Sequence, residues 1–312
     1  MEGYILKQTP EDFVVREIFQ PKLSPAGPYS YYKLSKRGLT TQLALGEVSR
    51  SFRIQPKFIN CSGNKDKHAI TEQIISVRNG PECVLERPGL RVEFLGRGKE
   101  RINLGSAPSN HFIITIRNLQ KKPKAIKQFV NCYDSQRFGS AGNNHEIGRL
   151  LLKREFAKAA KMVPELSGEK DAVKALLQLP KGVLRIYPHA YQSWLWNKMA
   201  GDYFKSHPKT KNLKVPIIGW NTVLRPPFRE VGRKLLASEG LRRHDFKIAE
   251  LPECNLEGDE RDLFAIPKNL KIGPLQRDEL NSGRRKVTVE FSLGAGSYAT
   301  MCVRVMMSSK AP

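Results

Sequence analysis

Ser62-Gly63-Asn64-Lys65-Asp66-Lys67-His68-Ala69-Ile70-Thr71-Glu72-Gln73 is the densest polar stretch of the chain, and it lies between two apolar runs. Phe58 to Ser62 leads into it, and Ile70 to Val77 follows as a strand or short helix. A polar turn between two such runs reads as a loop joining buried elements. Gly63 permits a tight turn, and that turn presents Asp66 between Lys65 and Lys67. Two cations beside a carboxylate lower its pKa and hold it ionised. An ionised carboxylate in basic surroundings serves as a nucleophile on a sugar or base. On spacing alone the string is equally an ordinary solvated turn, where Asp is common.

Working outward, Tyr4 to Ile18 reads as two short strands around Pro10, and Tyr29 to Leu34 as another strand. Leu43, Leu45, Val48 and Phe52 fall near helical spacing behind Thr40 or Thr41 as N-cap. Leu90–Phe94 and Asn110–Ile116 read as strands, while Lys124–Cys132, Glu146–Met162 and Ala190–Phe204 read as helices. The stretch from about 205 to 281 is rich in Pro, Lys and Arg. Lys286–Phe291 and Tyr298–Met306 read as two strands joined at Gly294-Ala295-Gly296-Ser297. The pattern implies an α+β fold with an insertion before a final hairpin.

The 312 residues carry 53 Lys and Arg against 30 Asp and Glu, a net charge of +23. Such an excess draws a protein to polyanions, nucleic acid first among them. Lys121, Lys122, Lys124, Arg242, Arg243, Arg284, Arg285 and Lys286 form basic runs suited to RNA phosphates. The five cysteines are scattered, with no C-x-x-C pair, which argues against a disulfide framework and a structural zinc site. No apolar run approaches the roughly 20 residues that span a bilayer, and Met1–Glu17 has no apolar signal core. A cytoplasmic, monomeric protein bound to neither metal nor membrane is expected. The phosphate-binding loop, the dinucleotide fingerprint, the zincin pair and the serine elbow are all absent. Asn64-Lys65-Asp66 resembles the guanine element of GTPases, which means little without a phosphate loop.

Gly63 to Gln73 is similar to the G-x-K-D-[KR]-x-A-x-T-x-Q signature of the TruD family of tRNA pseudouridine synthases. Four further segments resemble that family in its own order: Lys7–Val15 (KQTPEDFVV), Asn131–Gly139 (NCYDSQRFG), Ala190–Asn197 (AYQSWLWN) and Phe291–Arg304 (FSLGAGSYATMCVR). The resemblance implies an α+β pseudouridine-synthase catalytic domain with a central, mostly antiparallel sheet over 1–199 and 283–312. A smaller inserted α+β TRUD domain is expected at 200–282. It further implies isomerisation of a specific uridine in tRNA, position 13 being the family's usual bacterial target, without cofactor or metal.

The resemblance also implies roles for single residues, carried over by position: Asp66 is expected to be the catalytic carboxylate, and Phe291 to pack against or stack on a target base flipped out of the RNA. Asn131 hydrogen-bonds the target nucleotide or holds the Asp66 loop, Lys7 lies near Asp66, and Tyr133 supports the site. Lys65, Gln136 and Arg137 are supporting residues. The chain departs from the family at Cys132, where an aromatic is usual, and at Asp134, where Gly is usual. Two rival readings are an RNA-binding or RNA-folding protein without catalysis, and a nucleosidase that releases free uracil.

Overall fold

The computed structural model describes residues 3–163, 166 and 171–308. The chain begins with β1 (Phe13–Ile18), β2 (Tyr29–Arg37), α1 (Thr41–Phe52), β3 (Ile59–Cys61) and β4 (Ile70–Arg78). β5 (Val84–Arg87), β6 (Leu90–Gly98), β7 (Ser109–Leu119) and the short β8 (Phe129–Val130) follow. A helical run comes next: α2 (Asn144–Leu152), α3 (Phe156–Lys161), α4 (Ala172–Gln178) and α5 (Lys181–Ser206). Then come β9 (Lys214–Ile217), α6 (Arg229–Ser238), β10 (Asp259–Asp262), β11 (Phe264–Ala265), β12 (Lys268–Ile272), β13 (Gln276–Arg277), β14 (Arg285–Gly294) and α7 (Ala299–Met307).

Two compact units result. One holds residues 1–127 and 266–312, the other 128–265. This division falls elsewhere than the boundaries 199/200 and 282/283 read from sequence, and α5 runs unbroken through residue 199. An α-helix keeps its hydrogen-bond ladder across a change in composition, so the Pro- and Lys-rich stretch marks no break there.

The first unit is built on a ten-stranded sheet in the order β12-β14-β7-β1-β4-β2-β6-β5, with β13 beside β14 and β3 beside β4. β1 and β4 run parallel; the other pairings are antiparallel, as expected. β2 pairs along its full length with β4, from Tyr29 opposite Arg78 to Arg37 opposite Ile70. Its alternation turns Tyr32, Leu34 and Lys36 inward, all at or below 2% exposure. α1 starts where Thr40 Oγ1 accepts from Leu43 N and ends at Arg53 in the left-handed region. It lays Ala44 and Val48 on the same core.

The second unit centres on α5, whose Leu184, Tyr187, Tyr191, Leu195, Trp196, Met199 and Tyr203 are buried. α2 crosses it closely because Gly148 has no side chain; a Cβ there would stand 2.1 Å from Tyr187 O.

Four expectations change. Of the two strands read around Pro10 only Phe13–Ile18 forms; Ile5 makes a single bridge to Arg117, and Pro10–Asp12 is a helical turn capped by Asp12 accepting from Thr9 N. Lys124–Lys127 is not helical, and Phe129–Val130 instead pairs with Phe264–Ala265. Glu146–Met162 is two helices, parted at Lys153–Glu155 where Arg154 has φ 60°. Tyr298–Met306 is not a strand: α7 buries Ala299, Cys302, Val303 and Met306, a helical spacing that the β-branched composition concealed.

Candidate active site

β4 has two neighbours along one edge. β1 covers its beginning, Val14 opposite Ile70 to Arg16 opposite Glu72, and β3 covers its end, Cys61 opposite Ile75. Between them Ile74 N has no strand to donate to. Glu17, the next residue on β1, fills the gap: its Oε2 accepts from Ile74 N at 3.0 Å. The other carboxylate oxygen accepts from Ser62 Oγ and from Lys65 Nζ at 2.9 Å. The Glu17 side chain is 1% exposed and that of Lys65 11%, so the charge is paired where a lone carboxylate is costly. Lys65 therefore points to Glu17, whereas the sequence reading set it beside Asp66.

The loop 62–69 is clamped at other points as well. Thr41 Oγ1 accepts from Lys65 N at 2.8 Å, Gln73 Nε2 donates to Gly63 O at 3.2 Å, and Gln42 Nε2 donates to Asn64 Oδ1 at 2.8 Å. Lys36, on β2, donates from Nζ to Asp66 O and to Leu39 O, each at 2.7 Å. Burial pushes the Lys36 ammonium down to about 8, opposed by the charge of Asp66.

With its backbone held, Asp66 presents a partly exposed carboxylate. Lys7 Nζ donates to Asp66 Oδ2 at 2.5 Å. Lys7 is set by a left-handed backbone, φ 57°, just after the bridge between Ile5 and Arg117. The turn that follows it is anchored by Asp12, which accepts from Thr9 N and from Arg117. Lys7 Nζ also lies 4.2 Å from the centre of the Phe13 ring. From there an aromatic row crosses three strands, Phe13 to Phe112 at 6.2 Å and Phe112 to Phe291 at 5.7 Å. Phe291 is fully buried and meets Phe112, its register partner on β7. Its packing is thus with another ring; no face of it is exposed to a nucleotide in this structure.

The remaining expected residues lie in the second unit. Asn131 is buried, and Arg261 holds it twice at 2.8 Å, Nε to its backbone oxygen and Nη2 to Oδ1. The same guanidinium lies 4.2 Å from the centre of the Tyr133 ring. Asn197 grips the Tyr133 backbone from both sides, accepting from its N–H and donating to its carbonyl. Arg137 Nε donates to Ser193 Oγ at 3.0 Å. Gln136 stands exposed on the turn Ser135–Phe138. The segments Asn131–Gly139 and Ala190–Asn197 are thus tied to each other by Asn197 on the Tyr133 backbone and by the side-chain bond of Arg137 to Ser193.

Tyr133 and Arg137 border a cavity of about 790 Å³, whose wall also includes His189, Trp220 and Lys247. Lys247 Nζ sits 4.6 Å from the Trp220 ring centre. Burial, and then the nearby Arg137 charge, push the His189 imidazole below its ordinary value.

Sequence reasoning missed Lys36, Glu17, Arg261 and Asn197. A lysine in phase with Tyr32 and Leu34 was a usable signal for Lys36; the role of Glu17 depends on where β1 stops along β4.

Comparison with known proteins agrees with this architecture. The family model described as tRNA pseudouridine synthase D (TruD) matches residues 2–164 and 204–306. A probable tRNA pseudouridine synthase D 2 of Methanocaldococcus jannaschii is 29% identical over 96% of this chain and 90% of its own length. The tRNA pseudouridine synthase D of Aquifex aeolicus is 28% identical over 97% of this chain and 98% of its own. The first alignment spans 385 positions against 312 residues here, so that relative carries inserted residues. A crystal structure titled for TruD of Methanosarcina mazei superposes with a TM-score of 0.74 at 23% identity, covering 98% of this chain and 94% of that one, which shows a common fold. With the matched model spanning most of its length, the chain belongs to the TruD family of tRNA pseudouridine synthases.

Proposed function

We propose that this chain isomerises one specific uridine of tRNA, position 13 being the first candidate, with Asp66 as its catalytic carboxylate. The observation that carries this reading is the Asp66 loop. Its backbone is bonded from β2 and from the start of α1, while the carboxylate itself stays accessible and meets Lys7. A reacting group held in one geometry is what positional catalysis requires.

The reaction breaks the N1–C1′ bond, turns the uracil and forms C1′–C5, releasing the C5 hydrogen as a proton. A carboxylate takes part by attacking C1′ and leaving again, by removing the 2′ proton to give a glycal, or by attacking C6 of the base and leaving again. None of these routes calls for a cofactor. Lys7 is assigned to hold the Asp66 carboxylate. Tyr133 is assigned to support an RNA base, since Arg261 and Asn197 fix its ring and backbone. Asn131 orients Arg261 under that ring, and Arg137 braces the segment through Ser193. Phe291 supports Lys7 from beneath, through Phe112 and Phe13.

The test is tritium release from tRNA labelled at uridine C5, with wild type beside Asp66→Asn. Release by wild type alone supports the reading, because the substitution removes a charge and little volume. Equal release by both variants removes Asp66 from the chemistry. Binding without release by either would favour an RNA-binding protein without catalysis.

A further inference from the structure

Lys36 occupies an inward position of β2 and is 2% exposed. Its register partners are Thr71 on β4 and Leu90 on β6, neither of them charged. Its ammonium is directed at carbonyl oxygens: Leu39 O and Asp66 O at 2.7 Å, and Lys65 O at 3.3 Å. A buried ammonium is costly and is ordinarily retained only where its protons are satisfied. Here three N–H groups meet three acceptors drawn from two segments, the lead-in to α1 and the loop that carries Asp66.

We propose that Lys36, as an ammonium, is a positioning residue for the Asp66 carboxylate: it pins the backbone of Lys65 and Asp66 to the start of α1, and loss of its proton loosens that loop and slows the reaction. This rests on the reading of Asp66 given above. A neutral amine keeps two N–H groups and turns a lone pair toward a carbonyl oxygen, so one of the three acceptors loses its donor. The charged groups facing Lys36 are both on the loop, Asp66 favouring its charge and Lys65 opposing it, with Lys7 one step beyond on the Asp66 carboxylate. β4 and β6 contribute the uncharged Thr71 and Leu90, and Thr41 of α1, also uncharged, bonds to the Lys65 backbone. Burial outweighs the Asp66 charge and brings the ammonium down to about 8. The positioning is therefore complete below that pH and is lost above it.

The experiment uses the full-length protein and single-turnover tritium release from C5-labelled tRNA, between about pH 6.5 and about pH 9.5, a range that brackets the shifted lysine. Wild type, Lys36→Gln and Asp66→Asn are measured together, with filter binding of tRNA for each. The wild-type rate is expected to fall above about pH 8. Lys36→Gln is expected to be slower by roughly 100-fold at neutral pH, the scale for a misplaced reacting group. Its residual rate should lack that inflection, and its tRNA affinity should be kept.

A flat wild-type profile overturns the proposal, as does a Lys36→Gln enzyme with the wild-type rate. An inflection retained in Lys36→Gln also overturns it, because the titrating group would then lie elsewhere, the uracil included. Should Lys36→Gln fail to melt cooperatively, Lys36→Arg replaces it. A guanidinium stays charged throughout this range, so a folded Lys36→Arg whose alkaline limb does not move upward counts against the proposal. Turnover by Asp66→Asn defeats the Asp66 reading itself. An inert Asp66→Asn beside a fully active Lys36→Gln defeats the role of Lys36 alone.

Discussion

Asp66 and Lys7 meet at 2.5 Å across 59 residues of sequence. Lys7 takes a left-handed conformation, which costs a side-chain-bearing residue something unless the surroundings impose it. Here the bridge at Ile5 and the Asp12-anchored turn impose it. Lys7→Met keeps length and backbone but removes the charge facing the carboxylate. Single-turnover release should fall by roughly 100-fold, the scale for losing one preorganised charged partner at a reacting centre. Filter-binding affinity for tRNA should hold, and an unchanged rate would leave Lys7 a structural role only. Phe291→Ala should instead act on stability, by about 3–5 kcal/mol for a fully buried ring. Denaturant melts would register it, with activity per folded molecule as the control. The loop that carries Asp66 was legible in the sequence, because a polar string stands there between two apolar runs that form β3 and β4. The partner of Lys65 was not, because it is fixed by where two strands end along β4, and register does not show in a linear pattern.

Among elements, one buried cluster joins three distant segments of the first unit. Arg117 on β7 binds Asp12 of the turn before β1 and Asp278 between β13 and β14, each at 2.8 Å. All three side chains are at most 7% exposed. Removing one partner from such a cluster strands the others' charges, so Arg117→Met should cost about 3–5 kcal/mol in denaturant unfolding. A loss within experimental error would mean that water reaches the carboxylates. Burial opposes ionisation of Asp278, yet bonds from Asn118 N, Asn281, Leu280 N and Arg117 outweigh it and hold the carboxyl down to about 2. The group is depressed in the folded state. Its stabilisation is thus present above the ordinary carboxyl range and is lost as pH falls toward 2. Acid melts of wild type and Asp278→Asn should therefore converge there; parallel curves would remove Asp278 from the acid transition. The PEDF string announced this turn, but Arg117, which answers Asp12, lies 105 positions away, and Asp278, its second partner, a further 161, and neither carries a local signal. α7 escaped for another reason: tertiary burial of one face overrides the strand preference of its valines.

At the scale of the whole molecule, a net charge of +23 favours attraction to polyanions, and the fold of the first unit brings some of the cations together. In the first unit two basic runs far apart in sequence converge. Lys121 and Arg284, with Arg304 of α7, border one cavity of about 610 Å³ together with Gly3 and Tyr4. Neutralised phosphates contribute affinity by releasing counterions, and each one adds to the slope of log K against log salt. Charge reversal of two cavity residues, Lys121→Glu with Arg284→Glu, should weaken tRNA binding at low salt. It should also flatten that slope by about two, one for each phosphate that is no longer neutralised. Turnover of saturating tRNA should remain, since neither residue touches the Asp66 loop. An unchanged slope would mean that the phosphates follow other cations, and the runs at Lys122–Lys124 and Arg242–Arg243 would be reversed next. An abolished turnover with an unchanged slope would instead tie this cavity to the catalytic step, because electrostatic attraction alone has no means of producing that pair of results.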